Sequence, residues 1–183
     1  MNTIKHNFIK YFDDIMYMSD DINEIMKKTI TTNMDLEILT RALGLKVWIG
    51  MRDEMNVDVM KSFNLYILNI QPSTQRGLHW VGLFRKPFKN NTYLTYFDSY
   101  GSSAVGEVCD SAKRMKAHLM YSNGIYQTLT SQNCGFFAVA FLLAMAKQVS
   151  FKKFSSWFST DEKKNDAIVK RIIIRELVKL KQM

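Results

Sequence analysis

Residues 131–146 read Ser131-Gln132-Asn133-Cys134-Gly135-Phe136-Phe137-Ala138-Val139-Ala140-Phe141-Leu142-Leu143-Ala144-Met145-Ala146. From Cys134 to Lys147 the stretch is apolar on nearly every face, so a helix made of it has to lie buried at the centre of the fold. The run from Gly135 to Ala146 is about half the ~20 residues of a bilayer span, which marks a core helix. Upstream, the hydrophobic period is that of strands. Val47-Trp48-Ile49 and residues 63–70, 79–84 and 92–97 are short β-branched or aromatic runs. Gln71-Pro72-Ser73, Pro87 and Asn90-Asn91 separate them, and the tight spacing predicts a mostly antiparallel meander. Residues 125–129 read as a further strand after a turn at Asn123-Gly124.

Both ends have helical period. Residues 1–43 place apolar side chains three to four apart at Phe8, Ile9, Phe12, Ile15 and Met16, then at Ile22, Ile25, Met26 and Ile30. Asp20 or Asp21 suits the cap of the second segment, and Asn33 that of a third, which stops at Gly44. Residues 104–120 regain helical period, and residues 160–181 read as an amphipathic basic helix. The expected fold class is α+β, a small mostly antiparallel or mixed central sheet flanked by helices. A helical part (1–45), a core (46–146) and a basic end (147–183) are expected to form a single domain.

Composition bounds the function classes. A chain of 183 residues is the size of one domain, and 47% apolar with 23% charged residues excludes wholesale disorder. Two Cys build no disulfide scaffold and no signal peptide is legible, so a soluble protein of a reducing compartment is expected. The net charge of +8 is unevenly placed. Residues 1–60 carry 7 basic and 10 acidic side chains, residues 61–146 carry 8 and 3, and residues 147–183 carry 10 and 4, hence −3, +5 and +6. A basic end invites a polyanion, although a solvated Lys-rich surface accounts for it equally.

Three residues carry the chemistry. Cys134 opens the buried helix, where the positive end of the macrodipole favours a thiolate. Gly135 after it leaves backbone N–H groups open to a developing oxyanion. A small residue opening a core helix is the alternative reading. His79, in Gly77-Leu78-His79-Trp80, starts a strand, and a thiol nucleophile needs an imidazole base held by a third group. Asp98, in Phe97-Asp98-Ser99-Tyr100-Gly101, ends the following strand. If the two strands pair as an antiparallel hairpin, His79 and Asp98 become neighbours. Taken singly, each has a plainer reading, as an edge-strand histidine and a turn-forming acid. His6 and His118 lie in charged helical surroundings without such a context. Cys109, also on a helix, reads as an inert thiol, and no Cys/His cluster has zinc-ligand spacing.

The order His79, Asp98, Cys134 within these strings resembles the adenovirus-type (adenain-like) cysteine proteases, relatives of the eukaryotic SUMO-deconjugating proteases. Region 46–146 is most similar to the maturation proteases of virophages such as mavirus and of Polinton-type elements. The matching residues are His79 followed by Trp80, Asp98 in its string, and Cys134-Gly135 before an apolar helix. Adenoviral members mostly have Glu where this chain has Asp98. The family places a Gln six or seven residues before the Cys, and Gln127 stands seven before it. Gly50-Met51-Arg52-Asp53-Glu54 resembles a loop of the virophage and Polinton members.

The resemblance implies a thiolate at Cys134, His79 as its base, Asp98 as the orienter, and an oxyanion hole from the Cys134 N–H and the Gln127 amide. Gln132, two residues before the Cys, is the competing glutamine and reads as a helix cap or a solvent-facing side chain. Trp80 is expected either to stack near the imidazole or, equally, to serve as an aromatic anchor under the strand, and Gly50 and Asp53 to lie toward substrate. No cofactor is required. DNA and a peptide activate adenoviral relatives, and the basic end offers a non-specific DNA contact. The implied partners are virion (capsid) precursor proteins, cut after small residues such as Gly by a monomer. The implied place is the virion and host-cell cytoplasm, with neither membrane attachment nor secretion. The alternatives are a SUMO or ubiquitin-like isopeptidase, an acetyltransferase on the same constellation, and a non-catalytic nucleic-acid-binding module.

Overall fold

The computed structural model describes residues 20–182. Two helices, α1 (Asp20–Lys27) and α2 (Asn33–Ala42), precede strand β1 (Val47–Met51). A 3-10 turn (Arg52–Glu54) and α3 (Val57–Ser62) lead to β2 (Leu65–Asn69), β3 (Trp80–Phe88) and β4 (Asn91–Phe97). Helix α4 (Gly106–Arg114), strand β5 (His118–Tyr121) and helix α5 (Cys134–Ala146) follow. The chain closes with α6 (Phe151–Ser155), a 3-10 turn (Glu162–Lys164) and α7 (Asn165–Lys181).

The five strands form one sheet in chain order. Its centre, β2-β3-β4, is antiparallel, while β1 joins β2 and β5 joins β4 in parallel. Parallel neighbours need crossovers. These are supplied by α3 and α4, which pack on one face around Tyr66, Leu68, Val81, Leu83 and Leu94. The other face carries Leu65, Ile67 and Phe97 and receives α5, with α1, α2, α6 and α7 around it. Alternate side chains of β2 thus serve opposite cores, which is why that strand is buried along its whole length. Helix α5 is buried from Cys134 through Met145, as its composition requires.

Several sequence expectations are corrected. Residues 104–120 are not one helix: α4 stops at Arg114, Lys116 turns the chain at φ 53°, and β5 then pairs along the edge of β4. His118 is therefore a strand residue, stacked on Tyr93 with ring centroids 5.0 Å apart. An open sheet edge outweighs helical periodicity there. Pro87 lies inside β3, in the part beyond β2, where it has a strand on one side only and its missing N–H leaves no ladder bond unmade. Residues 125–129 make no strand, because the Tyr126 and Gln127 amides both bond to the single carbonyl of Ser99. Thr32, not Asn33, caps α2, in a reciprocal box with Asp35. The helical reading of residues 1–19 lies outside the described residues. Among the described residues no helix is long and apolar enough to cross a membrane.

Helix α5 approaches the sheet at Gly82, where a Cβ would stand 2.6 Å from Cδ1 of Phe141. Phe141 in turn stacks on Phe97 with centroids 5.0 Å apart. Gly82→Ala should therefore lower stability by about 1–3 kcal/mol through overpacking, read as a reduced urea midpoint at unchanged m-value. A midpoint equal to wild type contradicts this packing.

Candidate active site

The β3–β4 register sets Gly82 opposite Phe97; continued past the strand ends it puts the residue after β4 opposite Val81, on the diagonal from the residue before β3. These two residues are Asp98 and His79. The His79 Nε2 lies 2.8 Å from Asp98 Oδ1, with both side chains almost fully buried. The Tyr100 backbone N–H donates to the same Oδ1 at 2.7 Å, which fixes the carboxylate. The Ile70 N–H donates to the His79 carbonyl at 3.1 Å and fixes the backbone that bears the imidazole.

Cys134 arrives from the other direction, on the first turn of α5. No side chain caps this helix, and the first N–H groups of any helix lack an intrahelical partner, so anions are favoured there. The Cys134 Sγ accepts the Trp80 backbone N–H at 3.4 Å. Gly135 has a packing reason beside the one expected from sequence: a Cβ there would stand 2.0 Å from the Thr31 Oγ1. The segment before α2 is thereby seated against the start of α5.

Burial works against a charge on His79, but the bond to Asp98 and the nearness of Asp98 and Cys134 outweigh it. The imidazole is pushed up to about 9. With Nε2 on Asp98, Nδ1 is left for the thiol, and in this resting geometry Nδ1 is not at hydrogen-bonding distance from a partner. Such contacts commonly tighten only when substrate binds.

Of the two roles open to Trp80, the anchor is the one its surroundings fit. The ring over the imidazole belongs to Tyr100, with centroids 4.6 Å apart and planes tilted by 32°. The Trp80 indole N–H instead donates to the Thr31 carbonyl at 3.0 Å. Tyr100 was missed at the sequence level, although it lies within the string quoted for Asp98. Its hydroxyl donates to the Ser131 carbonyl at 2.8 Å. Burial, with the nearby Cys134, Asp98 and Asp166, raises the Tyr100 pKa and keeps that donor protonated.

Gln127 is fully buried in an irregular segment, where a strand was expected. Its Oε1 accepts from Ser99 Oγ at 2.6 Å, and its Nε2 donates to the Ser131 carbonyl at 2.9 Å and to the Ser131 Oγ at 3.0 Å. The amide is thus turned onto the loop leading to Cys134. Gln132 is exposed and lines the same cleft as Cys134. Ser131 is the hub of this loop: its Oγ also donates to Asp166 on α7 at 2.8 Å. Neighbouring Asn165 donates to the Tyr126 carbonyl at 3.0 Å. No sequence pattern singled out Ser131, Asn165 or Asp166, because polar residues of these types occur everywhere on surfaces.

Gly50 and Asp53 do not line the cleft beside Cys134. Gly50 lies on β1 against the Trp48 ring. Asp53 accepts from the Ser73 N–H and Oγ, both at 2.7 Å, and this bonding lowers its pKa while tying down the loop that precedes His79. Cys109 is half-buried on α4, with its Sγ 3.6 Å from the Ala104 carbonyl oxygen, and both thiols are free.

No family model matches the chain. It is homologous to the "SUMO-1 cysteine protease S273R" and "Cysteine protease S273R" of African swine fever virus isolates, 30% identical over 105 residues. The match takes in 52% of this chain and 38% of those relatives, so the chain spans well under half their length. The crystal structure of the ASFV pS273R protease superposes with a TM-score of 0.54 at 17% identity, over 91% of this chain and 79% of that one. Its selenomethionine form gives 0.56 at 21%, over 79% and 68%. The mixed five-stranded sheet flanked by helices is the fold of that viral protease.

Proposed function

We propose that this chain is a cysteine endopeptidase that matures virion precursor proteins, cutting after small residues such as Gly. The observation that carries the reading is the buried His79–Asp98 pair at 2.8 Å, beside a cysteine on the first turn of a buried helix. In this reading the Cys134 thiolate attacks a peptide carbonyl and forms a tetrahedral adduct. The His79 imidazolium then gives its proton to the departing amine, leaving a thioester that water cleaves with His79 as base. Asp98 holds the ring and stabilises its cation. The string Gly50-Met51-Arg52-Asp53-Glu54, which forms the end of β1 and the turn after it, supports placing the chain among virophage and Polinton proteases.

The oxyanion is assigned to the Cys134 N–H and the Gln127 amide. Ser131 Oγ accepts from Gln127 Nε2, from Asn133 N at 3.3 Å and from Asn133 Nδ2 at 3.4 Å, three donors for two lone pairs. Exchanging the Gln127 contact for an oxyanion therefore leaves Ser131 satisfied. A second reading, deconjugation of a ubiquitin-like modifier, is favoured by the name of the SUMO-1 cysteine protease relatives. The chemistry is the same and only the acyl donor differs.

Co-expression with candidate virion precursors, compared by intact mass with Cys134→Ala, tests the proposal. Discrete truncations with wild type only are expected. Intact precursors together with release of a ubiquitin-like tag would transfer the assignment to the second reading. In steady-state assays kcat/KM should fall along an alkaline limb near pH 9, where His79 loses the proton it must hand on. Asp98→Asn removes a group that raises the imidazole pKa and should move the limb to lower pH; an unmoved limb assigns it to another group. Gln127→Ala should lower kcat by ~100-fold or more with KM little changed, and Gln132→Ala by under ~10-fold. Iodoacetamide should still alkylate Cys134 at the wild-type rate in both. The reverse ranking hands the oxyanion hole to Gln132.

A further inference from the structure

A cleft of about 300 Å³ opens beside Cys134. Its walls are mixed in a way that selects substrate. Ile30 and Leu78 line it while remaining 53% and 72% exposed, so two large apolar side chains adjoin on one cleft wall with much of their surface open to a ligand. The Trp80 ring lines it too, held by its bond to the Thr31 carbonyl. Arg76 is the one charged side chain lining this cleft, and no hydrogen bond or ion pair engages it among the described residues.

The loop presenting Arg76 and Leu78 is held at several points. The Ile70 N–H closes its base on the His79 carbonyl at 3.1 Å, and Asp53 grips Ser73 through two bonds of 2.7 Å. Gln75 N–H donates to the Pro72 carbonyl at 2.9 Å, forming a turn just before Arg76. Gly77, whose Cβ would stand 2.6 Å from the Asn69 Nδ2, presses the loop against the end of β2. The backbone that bears Arg76 is thus constrained, and its unengaged guanidinium stands at the rim of an apolar cleft, a planar fork that suits a carboxylate.

We propose that Arg76 is a specificity-determining residue: the substrate segment in this cleft is an apolar residue adjoining an acidic one, whose carboxylate Arg76 receives. The inference rests on the reading of the chain as a peptidase. The apolar residue covers Ile30, Leu78 and Trp80, while the acid meets Arg76 at the wetter rim. The contact is partly solvated, so its contribution is modest and salt-dependent.

The test is a peptide library varied at several positions on both sides of the scissile bond, read by mass spectrometry at low and high salt. Wild type should favour Asp or Glu over Gln by ~5-fold in kcat/KM at one position beside an apolar residue, and lose this preference at high salt. Arg76→Glu should turn the preference at that position toward Lys, and Arg76→Gln should abolish it. Unchanged profiles in both variants overturn the assignment of Arg76 while leaving the peptidase reading intact. Failure of wild type to cleave any library member or precursor protein overturns the peptidase reading, and this inference with it.

Discussion

The pairing register of one hairpin governs the arrangement. With Gly82 opposite Phe97, the imidazole bearer before β3 and the carboxylate bearer after β4 stand on the diagonal across the hairpin, within reach of each other's side chains. A slip of one residue would turn every side chain of one strand to the other face. Both faces are covered by helices, so such a slip would drive Val81 and Leu83 out of one core and Gly82 out from under Phe141. Register is thus enforced by burial on two sides at once. The glycine also decides how near α5 can come, and with it the height at which Cys134 meets the sheet.

The electrostatics follow from that enclosure. A lone charge at His79 would be opposed by desolvation, yet the imidazole is pushed up to about 9 because a buried carboxylate and a thiol share its surroundings. Breaking a buried pair by removing one partner typically costs about 3–5 kcal/mol, since the other charge is stranded. Tyr100 reinforces the arrangement three ways: its amide holds Asp98, its ring covers His79, and its hydroxyl holds the carbonyl of Ser131. Tyr100, two residues after the carboxylate, thereby ties the hairpin to the approach of the nucleophile helix.

The parts of this arrangement legible in sequence are those set by short-range periodicity. The all-apolar stretch after Cys134 announced a buried helix, and alternation in 79–84 and 92–97 announced the hairpin ends that carry His79 and Asp98. What was not legible depended on partners distant in the chain. Residues 115–121 have helical character but found an open strand edge at β4. Residues 125–129 look extended but found only the Ser99 carbonyl. For Trp80 the resemblance implied a place near the imidazole and the strand pattern an anchor; side-chain alternation sends Trp80 and His79 to different places and leaves the ring position to Tyr100. Asp166 has no local signal at all, since its partner Ser131 is reached only through the packing of α7 against α5.

That last contact has a temporal consequence. A ribosome delivers this polypeptide from the N-terminus, and the thiol emerges before the helix that holds its approach loop. While α7 is still being made, Ser131 lacks the carboxylate of Asp166 and the Tyr126 carbonyl lacks the Asn165 amide. The sheet and the histidine pair can form during this interval, but the loop before Cys134 is not yet secured. Assembly of the centre thereby waits for the synthesis of α7, and until then a nascent polypeptide carries its reactive sulfur with the machinery around it incomplete.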